Sequence, residues 1–172
     1  MVYKGAMSNT KETIVLLLKE GVGIRSIGRI MQIGIGTVIS GIKSIAKTTS
    51  KPLVKMNVPS VEVDETRTFI SRKSNTYWIA YVYDKERKQI IDLIVCLRTH
   101  KALKTLIATL LPANIKTICT DKLNIYRSLI PRAVHCHQLG STNHIERMNL
   151  TLRNHFKRLN RRTIYFNRNK NM

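Results

Sequence analysis

The chain has 172 residues, and 43% of them are hydrophobic, which is enough for one folded domain with a smaller compact unit and excludes a wholly disordered protein. Its 30 Lys and Arg against 10 Asp and Glu give a formal charge of +20. A fold with this imbalance repels itself unless a polyanion neutralises it, and nucleic acid is the usual partner because each phosphate contact releases condensed counterions.

Residues 8–47 are predicted to form a small all-α unit of three short helices. The first contains an apolar run at 14–18 that is too short for a signal peptide or a membrane span. The second is expected at 24–31 and the third at 37–47, after a glycine-containing turn. This pattern is typical of a helix-turn-helix, although an ordinary helical hairpin has the same periodicity. The predicted DNA contacts of this unit are Arg25, Thr37, Ser40 and Lys43.

Residues 48–59, with two prolines and little periodicity, are predicted to be a linker, and the residues that follow show the alternation of strands. The predicted elements are strands at 60–71, 75–83 and 89–97, a helix at 99–111, a strand at 115–120, a helix at 124–129, a strand at 133–137 and a helix at 142–159. This βββαβαβα order predicts an α/β, RNase H-like domain over 60–166, with helices flanking a mixed five-stranded sheet. A short basic tail, 167–172, is expected to follow.

Carboxylates are scarce in the second half of the chain: from Leu93 onward only Asp121 and Glu146 occur, among 15 Lys and Arg. In the predicted topology Asp64 lies on the first strand and Asp121 at the end of the neighbouring fourth strand. Glu146 lies on the first turns of the final helix, which packs across the same edge. The repulsion among three converging carboxylates indicates bound metal, and oxygen ligands favour a pair of Mg²⁺ or Mn²⁺ ions. Asp64, Asp121 and Glu146 are therefore the predicted catalytic residues and metal ligands.

Glu65 competes with Asp64 for this role. Neighbouring residues of a strand point to opposite faces of the sheet, so we expect only one of the two to join the cluster. The placement of Val61 and Val63 favours Asp64, but periodicity alone leaves the choice open.

Three segments resemble the transposases of the insertion sequence one family, which are of the DDE type. They are Val-Asp-Glu at 63–65, Cys-Thr-Asp at 119–121 and the run Asn-His-Ile-Glu-Arg-Met-Asn-Leu-Thr-Leu-Arg at 143–153. Residues 21–38 are similar to the helix-turn-helix of that family. The resemblance implies metal-dependent hydrolysis at the ends of a mobile element, strand transfer into target DNA, and a homo-oligomer on DNA. It also assigns the three acids to Asp64, Asp121 and Glu146.

The final helix carries a basic stripe that is predicted to follow the DNA backbone. Its predicted DNA contacts are Arg147, Asn149, Arg153, Lys157, Arg158, Arg161 and Arg162. A zinc site at the His-Cys-His run of 135–137 is not expected, because alternation along a strand separates Cys136 from the two histidines and no second ligand pair has suitable spacing.

Two alternatives to an active transposase stay open. Relatives carry Trp near position 67 and Gly at 122, where this chain has Arg67 and Lys122, and they continue beyond the point where this chain ends. A catalytically impaired DNA-binding relic that regulates transposition is one alternative, and a simpler RNase H-like nuclease is the other. Three irregularly spaced cysteines predict a reduced, cytoplasmic protein, associated with the nucleoid when it is bound to DNA and not with a membrane.

Overall fold

The structure, a computed structural model, describes residues 9–50, 58–137 and 142–156, together with residue 159. They divide into two compact units, one with the three N-terminal helices and one with a five-stranded sheet. Most of the predicted linker and all of the predicted tail lie outside these residues, so the domain bounds stay predictions. No helix in the described ranges is long and apolar enough to cross a membrane.

The helical unit consists of α1 (Thr10–Lys19), α2 (Ile24–Met31) and α3 (Ile35–Thr48). Each helix contributes one residue that is fully excluded from solvent, namely Ile14, Ile27 and Val38. A left-handed residue, Gln32 with φ 55°, ends α2 and allows the chain to turn sharply before α3. A side chain at Gly41 would place its Cβ 2.8 Å from the Cδ1 atom of Ile14, so this glycine permits the close approach of α1 and α3.

The sheet contains β1 (Ser60–Ile70), β2 (Arg72–Asp84), β3 (Gln89–Cys96), β4 (Thr117–Thr120) and β5 (His135–Cys136). Its spatial order is β3-β2-β1-β4-β5. The first three strands form an antiparallel meander, whereas β4 lies parallel to β1 and β5 parallel to β4. This is the predicted RNase H-like sheet, and the prediction of the fold class is confirmed.

Three helices complete this unit: α4 (His100–Ala108), α5 (Asn124–Leu129) and α6 (Asn143–His155). The Thr99 hydroxyl accepts the Ala102 N–H at 3.3 Å and so defines the start of α4. The helix ends three residues before the predicted position, because the chain continues there into a turn of 3-10 helix at Leu111–Ala113 that contains Pro112.

The two faces of the sheet bury different sets of side chains. On one face Val61 and Val63 belong to the main hydrophobic core, which includes Leu103 and Leu106 of α4 and Tyr126 of α5. The other face is smaller and more polar. Its core consists of Tyr81 and Tyr83 of β2 with Ile145 of α6. Because side chains alternate along a strand, Glu62 and Asp64 of β1 lie on the face toward α6.

Candidate active site

Asp64 and Asp121 lie side by side at the carboxyl end of β4. The parallel pairing of β1 with β4 ends at Val63 and Thr120, and the next residue of each strand is an aspartate. Asp121 then leaves the sheet in a tight turn, where its Oδ1 atom accepts the Leu123 N–H at 3.0 Å just before α5 begins. The strand register therefore brings together two of the three predicted carboxylates.

Glu65 joins the same cluster. One carboxylate oxygen from each of Asp64, Glu65 and Asp121 lies within 4.8 Å of the other two. The expectation that only one of Asp64 and Glu65 can take part is therefore wrong. β4 ends beside Val63, so no β4 residue is paired with β1 beyond it, and side chains that start on opposite faces reach the same point at this open edge.

Among the described residues, the hydrogen-bond donors that hold Asp64 are all neutral. Its Oδ1 atom accepts the Glu65 N–H at 2.7 Å, and its Oδ2 atom accepts the Asn149 side-chain amide at 2.6 Å. Burial raises the pKa of Asp64 to about 6, and the negative charges of Glu65 and Asp121 act in the same direction, against the lowering effect of the two hydrogen bonds. Within the described part of the chain, no cationic side chain directly neutralises the charge of the ionised Asp64.

Glu65 has a different environment, because a cation and a phenol hold it. Its Oε2 atom accepts a hydrogen bond from Arg98 at 2.9 Å, and Oε1 accepts one from the Tyr126 hydroxyl. Burial raises the pKa of the Glu65 carboxyl, while Tyr126 and Arg98 partly counter that effect. Burial and the nearby carboxylates raise the pKa of the Tyr126 phenol. Tyr126 therefore keeps its proton and donates a hydrogen bond to Glu65.

Arg98 is a site residue that the sequence analysis missed. Its guanidinium lies 3.7 Å from Asp121 Oδ2 as well as beside Glu65, and it stacks 4.4 Å from the centroid of the Trp78 ring. Arg98 comes just after β3, which two strands separate from β4, and no spacing in the sequence connects it with Asp121. Only the sheet order brings it to the site.

Glu62 attaches the first turn of α6 to the sheet. Its side chain is fully buried, and Oε2 accepts the Ile145 N–H at 2.6 Å. Its Oε1 atom lies 2.9 Å from the Nδ1 atom of His144 and 3.4 Å from the Nζ atom of Lys85. A carboxylate at this position satisfies an N–H group that the helix itself leaves free, and its charge complements the positive end of the helix dipole.

Glu146, the predicted third acid, is exposed one residue beyond this anchor. Its Oε1 atom accepts a hydrogen bond from the Thr142 hydroxyl at 3.3 Å. Glu146 does not belong to the group of carboxylates within 4.8 Å of one another, which among the residues searched consists of Asp64, Glu65 and Asp121. The structure brings the two aspartates together, and the role of Glu146 stays a prediction.

Asn149 is buried, with 6% of its surface exposed, and it does not face solvent as a DNA contact would. Its Oδ1 atom accepts hydrogen bonds from Tyr81, at 3.0 Å, and from Thr66. These two hydroxyls leave the amide nitrogen to donate to Asp64. The structure therefore differs from the predicted DNA contact at Asn149: the side chain orients a carboxylate of the cluster, because the rotation of α6 turns it toward the sheet.

The other predicted DNA contacts fall into three groups. Arg25, Ser40 and Lys43 are exposed in the helical unit, where Thr37 is half-buried. On α6 Arg147 is exposed and Arg153 is half-buried. The remaining four lie outside the described residues and are Lys157, Arg158, Arg161 and Arg162.

The two departures from the family pattern do not enter the carboxylate cluster. Lys122 is exposed, and Arg67 is also exposed and donates from Nη2 to the Thr76 hydroxyl at 3.2 Å, across the β1–β2 pair. Both positive charges therefore stand at the surface near the ends of the strands that carry Asp64 and Asp121.

An RNase H-like sheet whose two central strands bring aspartates together defines the class of nucleic-acid-cleaving enzymes that work through clustered carboxylates. The family model described as IS1 transposase matches residues 58–172. The chain belongs to the IS1 transposase family.

Relatives of known name agree with this assignment. The chain is 35% identical over 107 residues to the insertion element iso-IS1n protein InsB of Shigella dysenteriae, a match that spans 62% of this chain and 82% of the relative. It is 33% identical over 107 residues to the insertion element IS1 4 protein InsB of Escherichia coli K12, and there it spans 64% of the relative's length.

Among solved structures, one similar chain belongs to a simian T-cell lymphotropic virus intasome in complex with the PP2A regulatory subunit B56 gamma. Its TM-score is 0.43 at 11% identity, and the match covers 88% of this chain and 60% of that chain. The assignment of the fold rests on the strand order and directions of the sheet itself.

Proposed function

We propose that this chain cuts DNA at the ends of an insertion sequence by metal-dependent phosphodiester hydrolysis and joins the cut strand to target DNA. The observation that carries the proposal is that Asp64 and Asp121 lie side by side at the carboxyl end of β4, just beyond the last paired residues of β1 and β4, in a chain of the IS1 transposase family. The reaction takes place in the cytoplasm on nucleoid DNA, with two or more copies of the chain acting on paired ends.

The donor atoms of the cluster fit Mg²⁺ or Mn²⁺, because all of them are carboxylate oxygens. Asp64, Asp121 and Glu146 are the proposed ligands. Glu65 is the weaker candidate, since Arg98 already neutralises its charge, whereas Asp64 has only neutral donors beside it. When bound, a pair of such ions supplies activation of water or of a 3′-hydroxyl and stabilisation of the leaving oxygen.

The chain's own residues orient these ligands. The Asn149 amide fixes one oxygen of Asp64, and the Leu123 N–H fixes one oxygen of Asp121. Arg98 holds Glu65 and stands close to Asp121, so it limits the repulsion within the cluster. Asp64 and Asp121 would therefore present their oxygens to the bound ions from fixed directions.

DNA contact is proposed at two places. The exposed side chains of Ser40 and Lys43, with Thr37, suit α3 for the major groove at the element ends, and the exposed Arg25 of α2 suits a contact beside it. On α6 the exposed Arg147, next to Glu146, suits the backbone of the strand that is cut.

The test is an assay on labelled element-end DNA with Mg²⁺ or Mn²⁺. We expect the wild-type chain to nick the ends and join them to target DNA, and Asp121→Asn to lose both activities. Glu86→Gln is the matched control, because Glu86 is an exposed acid of the β2–β3 turn and its loss removes the same charge. Equal nicking by wild type and Asp121→Asn would rule out the proposed site.

A second candidate is a DNA-binding relic that occupies element ends without cutting them. The position of Glu146 outside the three-carboxylate group favours it. Specific binding to element ends with no nicking or joining by wild type would support the relic. Nicking that ignores the end sequence and never joins strands would support an RNase H-like nuclease.

A further inference from the structure

A basic cavity opens beside β5, and the residues that line it follow Asp121 in the sequence. Its volume is about 380 Å³, and Arg127 of α5, Arg132, His135 and His137 line it. All four are cation-forming side chains, and the sequence has no Asp or Glu between Asp121 and Glu146. The cavity therefore concentrates positive charge that no acid of this segment balances.

A short chain of hydrogen bonds connects this cavity with the backbone of Asp121. The Nε2 atom of His135 lies 2.8 Å from the Thr120 hydroxyl, which donates to the backbone oxygen of Asp121 at 2.9 Å. Since the Thr120 hydrogen is used in this way, His135 donates through Nε2. Thr120 is thus the one residue between His135 in the cavity wall and Asp121, which begins the turn into α5.

The side chains in the cavity wall carry, or can take up, charges of the same sign, and these repel one another. The rings of His135 and His137 have centroids 5.5 Å apart, and burial lowers the pKa of His135, with His137 and Arg127 acting in the same direction. The two guanidiniums are positively charged, and they repel each other and a metal cation alike. An anion removes that repulsion, and a guanidinium matches the geometry of a phosphate through paired N–H donors.

We propose that this cavity binds a phosphodiester group of DNA, in the strand that passes Asp121. The proposal rests on the proposed function and adds to it a place where the backbone is held. Arg127 and Arg132 provide the charge, and both are exposed, so a strand reaches them from solvent.

The test measures DNA binding separately from cleavage. The Asp121→Asn chain is titrated onto labelled element-end duplex at several salt concentrations, with and without the double substitution Arg127→Gln/Arg132→Gln. Each lost phosphate contact lowers the slope of log affinity against log salt by about 0.9. We expect the double variant to lose about one to two in slope and about tenfold in affinity at low salt.

Lys101→Gln/Lys104→Gln is the matched control, because both lysines are exposed on α4 and their removal changes the charge equally. An equal loss of slope in the two double variants overturns the proposal, since it indicates only the overall charge. The conservative pair Arg127→Lys/Arg132→Lys keeps the charge, and recovery of the slope supports a phosphate contact. Circular dichroism of every variant checks that the fold is retained, and the conservative pair gives the decision if the glutamine pair unfolds.

The outcome separates this proposal from the proposed function. A wild-type chain that never cuts, but whose salt slope falls only in the Arg127/Arg132 variant, contradicts the proposed function and supports the phosphate site. A wild-type chain that cuts and joins DNA, together with an unchanged salt slope in that variant, supports the proposed function and contradicts the phosphate site. Zinc binding that His135→Ala/His137→Ala removes, together with an unchanged slope, identifies a metal site and overturns the proposal.

Discussion

Asp64 combines partial burial, two acidic neighbours and, as far as the described ranges extend, hydrogen bonds from neutral groups only. A buried carboxylate in this position destabilises the fold when it is ionised, and a bound cation reverses the effect. Asn149 shows the complementary arrangement, since every polar atom of its side chain has a partner and its orientation is determined by Tyr81 and Thr66. Contacts of single residues thus fix the orientation of the Asp64 carboxylate within the cluster.

The first prediction concerns Asp64→Asn. The pKa of Asp64 is about 6 in the folded chain against 3.8 in the unfolded one. The protonated Asp64 contributes its full share of the unfolding free energy below pH 3.8. That share is lost as the pH rises from 3.8 to about 6. At neutral pH, without metal, Asp64→Asn avoids the cost of the buried charge, but its amide has one acceptor oxygen for two donors, the Glu65 N–H and the Asn149 amide. We therefore expect Asp64→Asn to remove most of the decrease in unfolding free energy, about 1–3 kcal/mol, that wild type shows between pH 3.8 and about 6. Urea denaturation is the measurement.

The same substitution has a metal-dependent counterpart. Mg²⁺ should raise the unfolding midpoint of wild type and leave that of Asp64→Asn nearly unchanged, because binding to the folded state alone stabilises it. Glu86→Gln is the control and should shift stability by less than about 0.5 kcal/mol. An equal decrease in the unfolding free energy of wild type and Asp64→Asn between pH 3.8 and about 6 would contradict the argument from repulsion.

At the scale of elements, β1 and α6 are joined by polar contacts along one face of the strand. Glu62 and Asp64 alternate on that face, and each contacts a different turn of the helix through Ile145 and Asn149. The side chain of Ile145 also packs with Tyr81 in the smaller apolar core. This arrangement sets the rotation of α6 and therefore the direction in which Glu146 points.

The second prediction tests the anchor of α6 with Glu62→Gln. The glutamine keeps the shape of the side chain but has only one acceptor oxygen, so either the Ile145 N–H or the His144 ring loses its partner. We expect a loss of about 1–3 kcal/mol in unfolding free energy and faster hydrogen exchange at the Ile145 amide. Unchanged exchange at that amide, with Glu86→Gln as reference, would show that Glu62 does not hold the helix.

At the scale of the whole molecule, the charge of +20 is the dominant property. The acids that remain are concentrated at the sheet, where six of the ten lie on β1, β2 and β3 or in the β2–β3 turn. The helical unit exposes basic and hydroxyl side chains on α3, whereas the sheet unit carries the carboxylates. The proposed function assigns recognition of a DNA sequence to the helical unit and the reaction to the sheet unit.

The third prediction separates recognition from chemistry. In the Asp121→Asn chain, Ser40→Ala/Lys43→Ala should lower the ratio of affinities for element-end and scrambled duplex by about tenfold, because side chains in the major groove carry the discrimination. Lys19→Ala, on the exposed side of α1, removes the same charge and should leave the ratio unchanged. Fluorescence anisotropy measures both affinities. An equal loss on the two duplexes would show that α3 contacts only the backbone.

Local patterns explain what could be predicted. Alternation and turn residues predict the order of strands and helices, and the scarcity of acids in a basic segment indicates Asp121. The exact ends of elements are harder, as β2 shows: it begins at Arg72 and not at 75, because Ser71 takes a left-handed φ of 61° and makes the turn much tighter.

Sequence by itself determined the fold class, the basic character and the adjacency of Asp64 and Asp121, because these follow from short-range periodicity, composition and the order of strands. Tertiary structure alone decided that Glu65 joins the cluster, that Arg98 stands beside it and that Asn149 orients Asp64. The physical reason is that alternation gives the face of a residue only within its own strand. Where a neighbouring strand stops, and how a helix is rotated on the sheet, depend on contacts between residues far apart in the chain.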